Sequence, residues 1–185
     1  MVKLIPMEQA DFEAYLEEDI QRYAQAHVEA GNWEPSQALE KSRKEHDQLL
    51  PDGLASKNQY LFTILDEDTG TKVGVLFVNI EGSRAFIYDF IIDGELRGKG
   101  YGKQGLMALD EKLKSMNVES VALHVFGDNI TAQELYKKTG YQIAGIHMKK
   151  GTQIEKPARR IHLVLRQDSA QFKCGARCPF QVQVW

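Results

Sequence analysis

Residues 59–93 read QYLFTILDEDTGTKVGVLFVNIEGSRAFIYDFIID, three β-rich runs joined by the short turn sequences DTGT and GS. Links of this kind suit hairpins, so the stretch from about Tyr60 to Asp93 is expected to form an antiparallel meander. A meander has to bury at least one face, and the chain before it supplies the cover. From Met7 to about Ala30, the apolar residues Phe12, Tyr15, Leu16, Ile20, Tyr23 and Val28 recur at helical spacing with acids between them. The sequence NWEP breaks that pattern. Pro35 suits the first position of a second helix running to about Leu50, and Pro51 to Gly53 is turn chemistry. VKLIP, near the start, reads as a first strand.

Beyond the meander lies a glycine-rich turn, RGKGYGKQG from Arg97 to Gly105, then a helix to about Met116 with Leu106, Leu109 and Leu113 on one face. VESVALHVF, Val118 to Phe126, reads as a strand. NITAQELYKKTG reads as a short helix capped by Asp128 or Asn129 and closed by Gly140. YQIAGIHMK and ARRIHLVLR are expected as final strands paired with each other. The fold class is therefore α/β: one domain over residues 1–168, with a mixed, mainly antiparallel sheet flanked by helices. Residues 169–185 differ in character and are read as a C-terminal extension of unassigned role.

A chain of 185 residues can bury one sizeable core, and 43% hydrophobic with 26% charged residues is ordinary for a globular protein. A net charge of −3 speaks against a nucleic-acid partner. No apolar run approaches the ~20 residues of a membrane span, and the start lacks a signal-peptide apolar region, so no membrane partner and a cytoplasmic location are expected. The two cysteines, Cys174 and Cys178, form a lone C-x3-C without nearby histidines, which reads as plain thiols rather than a zinc site. No metal is expected.

The glycine turn carries the chemistry. A strand that ends in glycines and opens a helix aims several backbone N–H groups and the helix dipole at one spot, which suits a phosphate. Arg97, Lys99 and Lys103 add positive charge. The P-loop pattern fails, because Arg97 and Gln104 stand where glycine and a hydroxyl residue are required. The dinucleotide pattern G-x-G-x-x-G is met by Gly100, Gly102 and Gly105, but seven residues separate it from the strand end near Ile92, and a meander precedes it.

A third pattern fits better. IIDGELRGKGYG resembles the pyrophosphate loop [RQ]-x-x-G-x-[GA] of the GNAT (GCN5-related N-acetyltransferase) superfamily, with Arg97, Gly100 and Gly102 at its defined positions. Downstream, Asn129, Ala132, Leu135, Tyr136, Gly140 and Tyr141 resemble that family's second signature, N-x-x-A-x-x-L-Y-x-x-x-G-[FY]. The resemblance spans roughly Leu4 to Leu165. It implies an acetyl-CoA-dependent N-acetyltransferase in which a primary amine attacks the thioester directly. It implies that Arg97, Gly98, Lys99, Gly100, Tyr101 and Gly102 hold the pyrophosphate, with Lys103 adding charge. Phe90, Ile91 and Ile92 would lend their backbone to the pantetheine arm, the Phe90 N–H polarising the acetyl carbonyl. Asn129 would cap its helix, bond the pantetheine, or both. Tyr136 would protonate the departing thiolate.

The general base is less defined. Family members often carry a glutamate four or six residues before the position of Ile92, where this chain has Tyr88 and Phe86. Asp89 is adjacent but of opposite parity, so only a bulge would turn it to the same side. His124 is the alternative. Acceptor choice is assigned to the two N-terminal helices with Trp33 and to the loop from Thr152 to Pro157; the acceptor is a small-molecule or peptide amine, and homodimer formation is left open. Two rivals stand beside this reading: a non-catalytic acyl-CoA-binding regulatory module, kept alive by the absent strand glutamate, and a dinucleotide-binding oxidoreductase.

Overall fold

A computed structural model describes residues 1–148 and 163–164. The meander forms as expected: β2 (Gln59–Asp66), β3 (Thr71–Glu81) and β4 (Arg84–Ile92) are antiparallel neighbours. β1 (Val2–Pro6) adds antiparallel to β2, and β5 (Ser120–Leu123) adds parallel to β4, giving the order β1-β2-β3-β4-β5. The parallel pair requires a crossover, and helix α3 (Tyr101–Ser115) supplies it.

Helices α1 (Gln9–Glu29) and α2 (Pro35–Leu49) pack on one face of the sheet, where Phe12, Tyr15, Tyr23, Leu61, Phe77 and Tyr88 form a buried layer. The other face carries Phe62, Ile64, Leu76, Ile87 and Phe90 against Leu106, Leu109 and Leu113 of α3 and Ala132 and Tyr136 of α4 (Ile130–Lys138). Each fully buried large apolar side chain contributes ~1.5–3 kcal/mol, so a core on both faces holds the sheet in the middle. A Cβ on Gly105 would come within 3.1 Å of the Phe90 ring. That residue lets α3 lie close against β4.

Two irregularities shape the centre of the sheet. Phe77 pairs with Asp89 while Val78 pairs with Ile87, so Tyr88 is an extra residue, a β-bulge. The β4–β5 ladder also ends early, running from Arg84–Ser120 to Ile87–Leu123 while β4 continues to Ile92. The strand expected over Val118–Phe126 is consequently only four residues long, because the two strands diverge after the bulge. Tyr141 to Ile146, expected as strand, has no regular structure; β6 (His147–Met148) pairs antiparallel with β7 (Leu163–Val164), as the sequence suggested for these segments. The loop from Thr152 to Pro157, both cysteines and residues 169–185 lie outside the described residues. Among the described residues no helix is long and apolar enough to cross a membrane.

Candidate active site

The chain leaves β4 at Ile92, makes a short turn over Gly94–Leu96 and enters α3 at Tyr101. Gly98 and Gly100 have φ of +73° and +87°, a left-handed conformation that side chains disfavour. Gly100 is the cap residue of α3 and makes no side-chain cap bond, which leaves the first-turn amides of Tyr101, Gly102 and Lys103 without a side-chain acceptor. A Cβ at Gly98 would meet open space, and one at Gly100 only Gln104 at 3.9 Å. Bare backbone amides at an open helix start fit a pyrophosphate. Lys99 and Lys103 are exposed beside it.

Arg97 acts differently from its neighbours, since its Nε donates to the Ile92 carbonyl at 2.9 Å and ties the loop back to the strand. The Tyr101 hydroxyl donates to Asp66 Oδ2 at 2.8 Å and anchors the helix start to β2. Asn129, not Asp128, caps α4, its Oδ1 accepting from the Ala132 N–H at 3.0 Å.

The bulge decides the position of Asp89. Tyr88 already faces α1, and the extra residue leaves Asp89 on that face too, 4% exposed. Its Oδ2 accepts from the Tyr15 hydroxyl at 3.1 Å and from Arg22 Nη2 at 2.6 Å. Burial, followed by the nearby Asp19 charge, pushes the Asp89 carboxyl up to about 8. The Phe90 amide lies near enough to this carboxyl to favour its ionised form slightly.

Tyr136, on the opposite face of the sheet, is 3% exposed, and its hydroxyl has no hydrogen-bond partner among the described residues. Burial, then Tyr141 and Asp89, raises its ionisation well above the usual phenol range, so it keeps its proton. Asp89 and Tyr136 thus sense each other electrostatically from either side of β4, next to the edge that β5 leaves. His124 falls just past the end of β5 and belongs to a different group. Its neighbour His27 stacks on Trp33 at 3.9 Å and meets Tyr23 and Phe126 edge-on. Tyr15 and Tyr23 are core residues with working hydroxyls, Tyr23 donating to Glu45 at 3.0 Å, and Trp33 is half-buried beside them.

A cavity of about 440 Å³ lies between β5, Tyr136 and the segment Tyr141 to Gly145. Neither the loop glycines nor Asp89 line it. Among the described residues no group of three or more His, Cys, Asp or Glu is arranged to hold a metal.

Sequence reasoning overlooked Asp19, Arg22, His46 and His27. A signal for Asp19 was present. With Tyr15 and Tyr23 it stands at four-residue spacing within the apolar stripe of α1, where a carboxylate is out of place unless it is paired.

Fold and loop together have the form of an acyltransferase. Residues 14–141 match the Acetyltransferase (GNAT) family, and the chain belongs to it. The uncharacterized N-acetyltransferase YycN of Bacillus subtilis (strain 168) is 38% identical over 153 residues, covering 80% of this chain and 97% of its own. The crystal structure of YycN superposes with a TM-score of 0.73 over 86% of this chain and all of that one. A spermidine N-acetyltransferase from Vibrio cholerae, solved with CoA and spermine, shares the fold at 19% identity and a TM-score of 0.58, over 88% of this chain and 92% of its own. The protein is an N-acetyltransferase of the class that uses acetyl-CoA.

Proposed function

We propose that the acceptor is a primary amine and that it attacks the thioester directly, with Asp89 as base and Tyr136 as acid. The observation that carries this reading is the bulge at Tyr88. It supplies a carboxylate on the α1 face although the usual glutamate positions hold Phe86 and Tyr88, which removes the ground for a non-catalytic module. It also favours Asp89 over His124.

Acetyl-CoA supplies an activated acyl group with thiolate as leaving group. The amides from Gly98 to Lys103 hold its pyrophosphate, and the β4 edge from Phe90 to Ile92, which β5 leaves without a ladder partner, lines the pantetheine arm. Asp89 takes the proton of the incoming ammonium, since only the free amine has a lone pair to attack with. Tyr136, kept protonated by burial, donates its hydrogen to the departing sulfur. Acceptor recognition falls to α1, α2 and the half-buried Trp33.

The test is a screen of primary amines for acetyl-CoA-dependent thiol release. Polyamines head the list, since a protein of the same fold is named for spermidine, followed by amino acids, aminated antibiotics and lysine peptides. Turnover of at least one amine, abolished by Asp89→Asn near neutral pH, is the expected result. Binding of acetyl-CoA with no acceptor acetylated would overturn the reading.

A further inference from the structure

Two buried carboxyls from distant parts of the chain meet over a single phenol. The Tyr15 hydroxyl is 3.1 Å from Oδ2 of Asp19 and 3.1 Å from Oδ2 of Asp89. It has one hydrogen, so it satisfies one of them; the other contact sets oxygen lone pairs against each other unless a carboxyl holds a proton. The same Arg22 nitrogen contacts both carboxyls. One guanidinium cannot neutralise two carboxylates in a site where Asp19 is 6% and Asp89 4% exposed, and like charges this close disfavour double ionisation.

The partners decide which carboxyl keeps the charge. Asp19 has Arg22, Tyr15 and also His46, whose Nε2 lies 3.0 Å from Oδ2. His46 Nδ1 is 2.8 Å from the Ser42 carbonyl, which only accepts, so Nδ1 carries hydrogen, and a bond from Nε2 to the Asp19 carboxylate needs a hydrogen on that nitrogen too. Burial opposes ionisation of Asp19, yet His46 and Arg22 outweigh it and hold this carboxyl below its usual range. Asp89 lacks the histidine. The charged and titratable groups around it are Tyr15, Asp19 and Arg22 on α1, His46 on α2 at one remove, and Tyr136 on α4.

We propose that Asp19 is a positioning residue for the reaction, acting through Tyr15 and Arg22 to fix the Asp89 carboxyl at the bulge and to set the pH at which it accepts the amine's proton. This rests on the reading of Asp89 as the base. No proton need leave the cluster for the device to work; the Asp19 charge simply delays ionisation of its neighbour.

Asp19→Asn tests it with little disturbance of shape. The amide oxygen can accept from Arg22, while the amide nitrogen donates to the Tyr15 oxygen and, once His46 Nε2 has given up its hydrogen, to that nitrogen, which leaves the Tyr15 hydrogen to Asp89. Arg22 then faces one carboxylate instead of two, so the acid-side limb of kcat/KM should move down. Tyr15→Phe removes a hydrogen bond that favours ionised Asp89 but leaves the Asp19 charge, so the limb should move up. Opposite shifts are not what a merely structural network would give, and the tyrosine variant carries the test if the asparagine variant fails to fold. The Asp89 carboxyl should be followed in parallel by carbon NMR without substrate. An unmoved carboxyl midpoint in folded variants overturns the coupling. A moved midpoint with an unmoved rate limb overturns Asp89 as the base.

Discussion

The Tyr136 hydroxyl is buried and unpartnered among the described residues, and an unsatisfied buried donor typically costs ~1–3 kcal/mol. A hydroxyl kept at such a cost has a use elsewhere. Deleting it by Tyr136→Phe keeps the ring, its packing and its edge contact with Tyr141 at 5.3 Å. The structure therefore predicts unchanged or slightly higher thermal stability. General acid catalysis is worth ~10²–10⁴ in rate, and thiolate leaves fairly well unaided, so kcat should fall by ~10². Acetyl-CoA affinity should hardly change. A variant with native kcat and native melting temperature would retire Tyr136 as the acid. Asn129 shows the opposite case, since its side chain is already committed to the Ala132 amide and its helix needs it whatever the coenzyme does.

At the scale of elements, the loop between β4 and α3 makes the next test. Gly100→Asp places a carboxylate where the pyrophosphate is expected. Aspartate is a good cap residue and one of the side chains that tolerates positive φ, so the fold should persist. Acetyl-CoA binding should weaken at least tenfold, or ~1.4 kcal/mol, by calorimetric titration. Unchanged affinity in the folded variant would move the pyrophosphate elsewhere. The loop was legible in advance because its chemistry is local: glycines at fixed spacing after an apolar run. So were α1, α3 and the meander, announced by their apolar patterns, and α2, announced by Pro35 at its start and the turn after it. The bulge was not, since one extra residue in β4 is defined only by its register with β3. Nor was the shortness of β5, where apolar residues continue to Phe126 while the ladder stops at Leu123. Both features depend on a partner strand, and both bear on where Asp89 and the β4 edge come to lie.

For the whole molecule, two groups displaced within the accessible pH range, His27 and Asp89, make opposing demands as pH changes. His27 is buried against Trp33, Tyr23 and Phe126, and burial, with His124 adding to it, lowers it to about 4. The unfolded chain, with histidine near 6.5, binds this proton between pH 4 and 6.5 while the folded chain does not, so His27 makes stability rise with pH across that window. Asp89 runs the other way. Raised to about 8, it keeps its proton while the unfolded chain has lost it above roughly pH 4, so stability falls with pH from there to pH 8. Each slope is at most ~1.4 kcal/mol per pH unit. Between pH 4.5 and 6.5 the two should largely cancel, and above 6.5 the Asp89 slope should emerge alone. Glu45, Asp93 and Asp110, all raised by burial, add to the falling side just above pH 4, so comparison with the native protein is the clean measurement. Relative to native, Asp89→Asn should gain stability steadily from pH 4.5 to 8. His27→Phe, keeping the stack on Trp33, should lose its advantage over the native protein as pH rises from 4 to 6.5 and run parallel to it above. Denaturant midpoints at half-unit pH steps would show both, and differences flat with pH would remove the opposed pair as an account of stability.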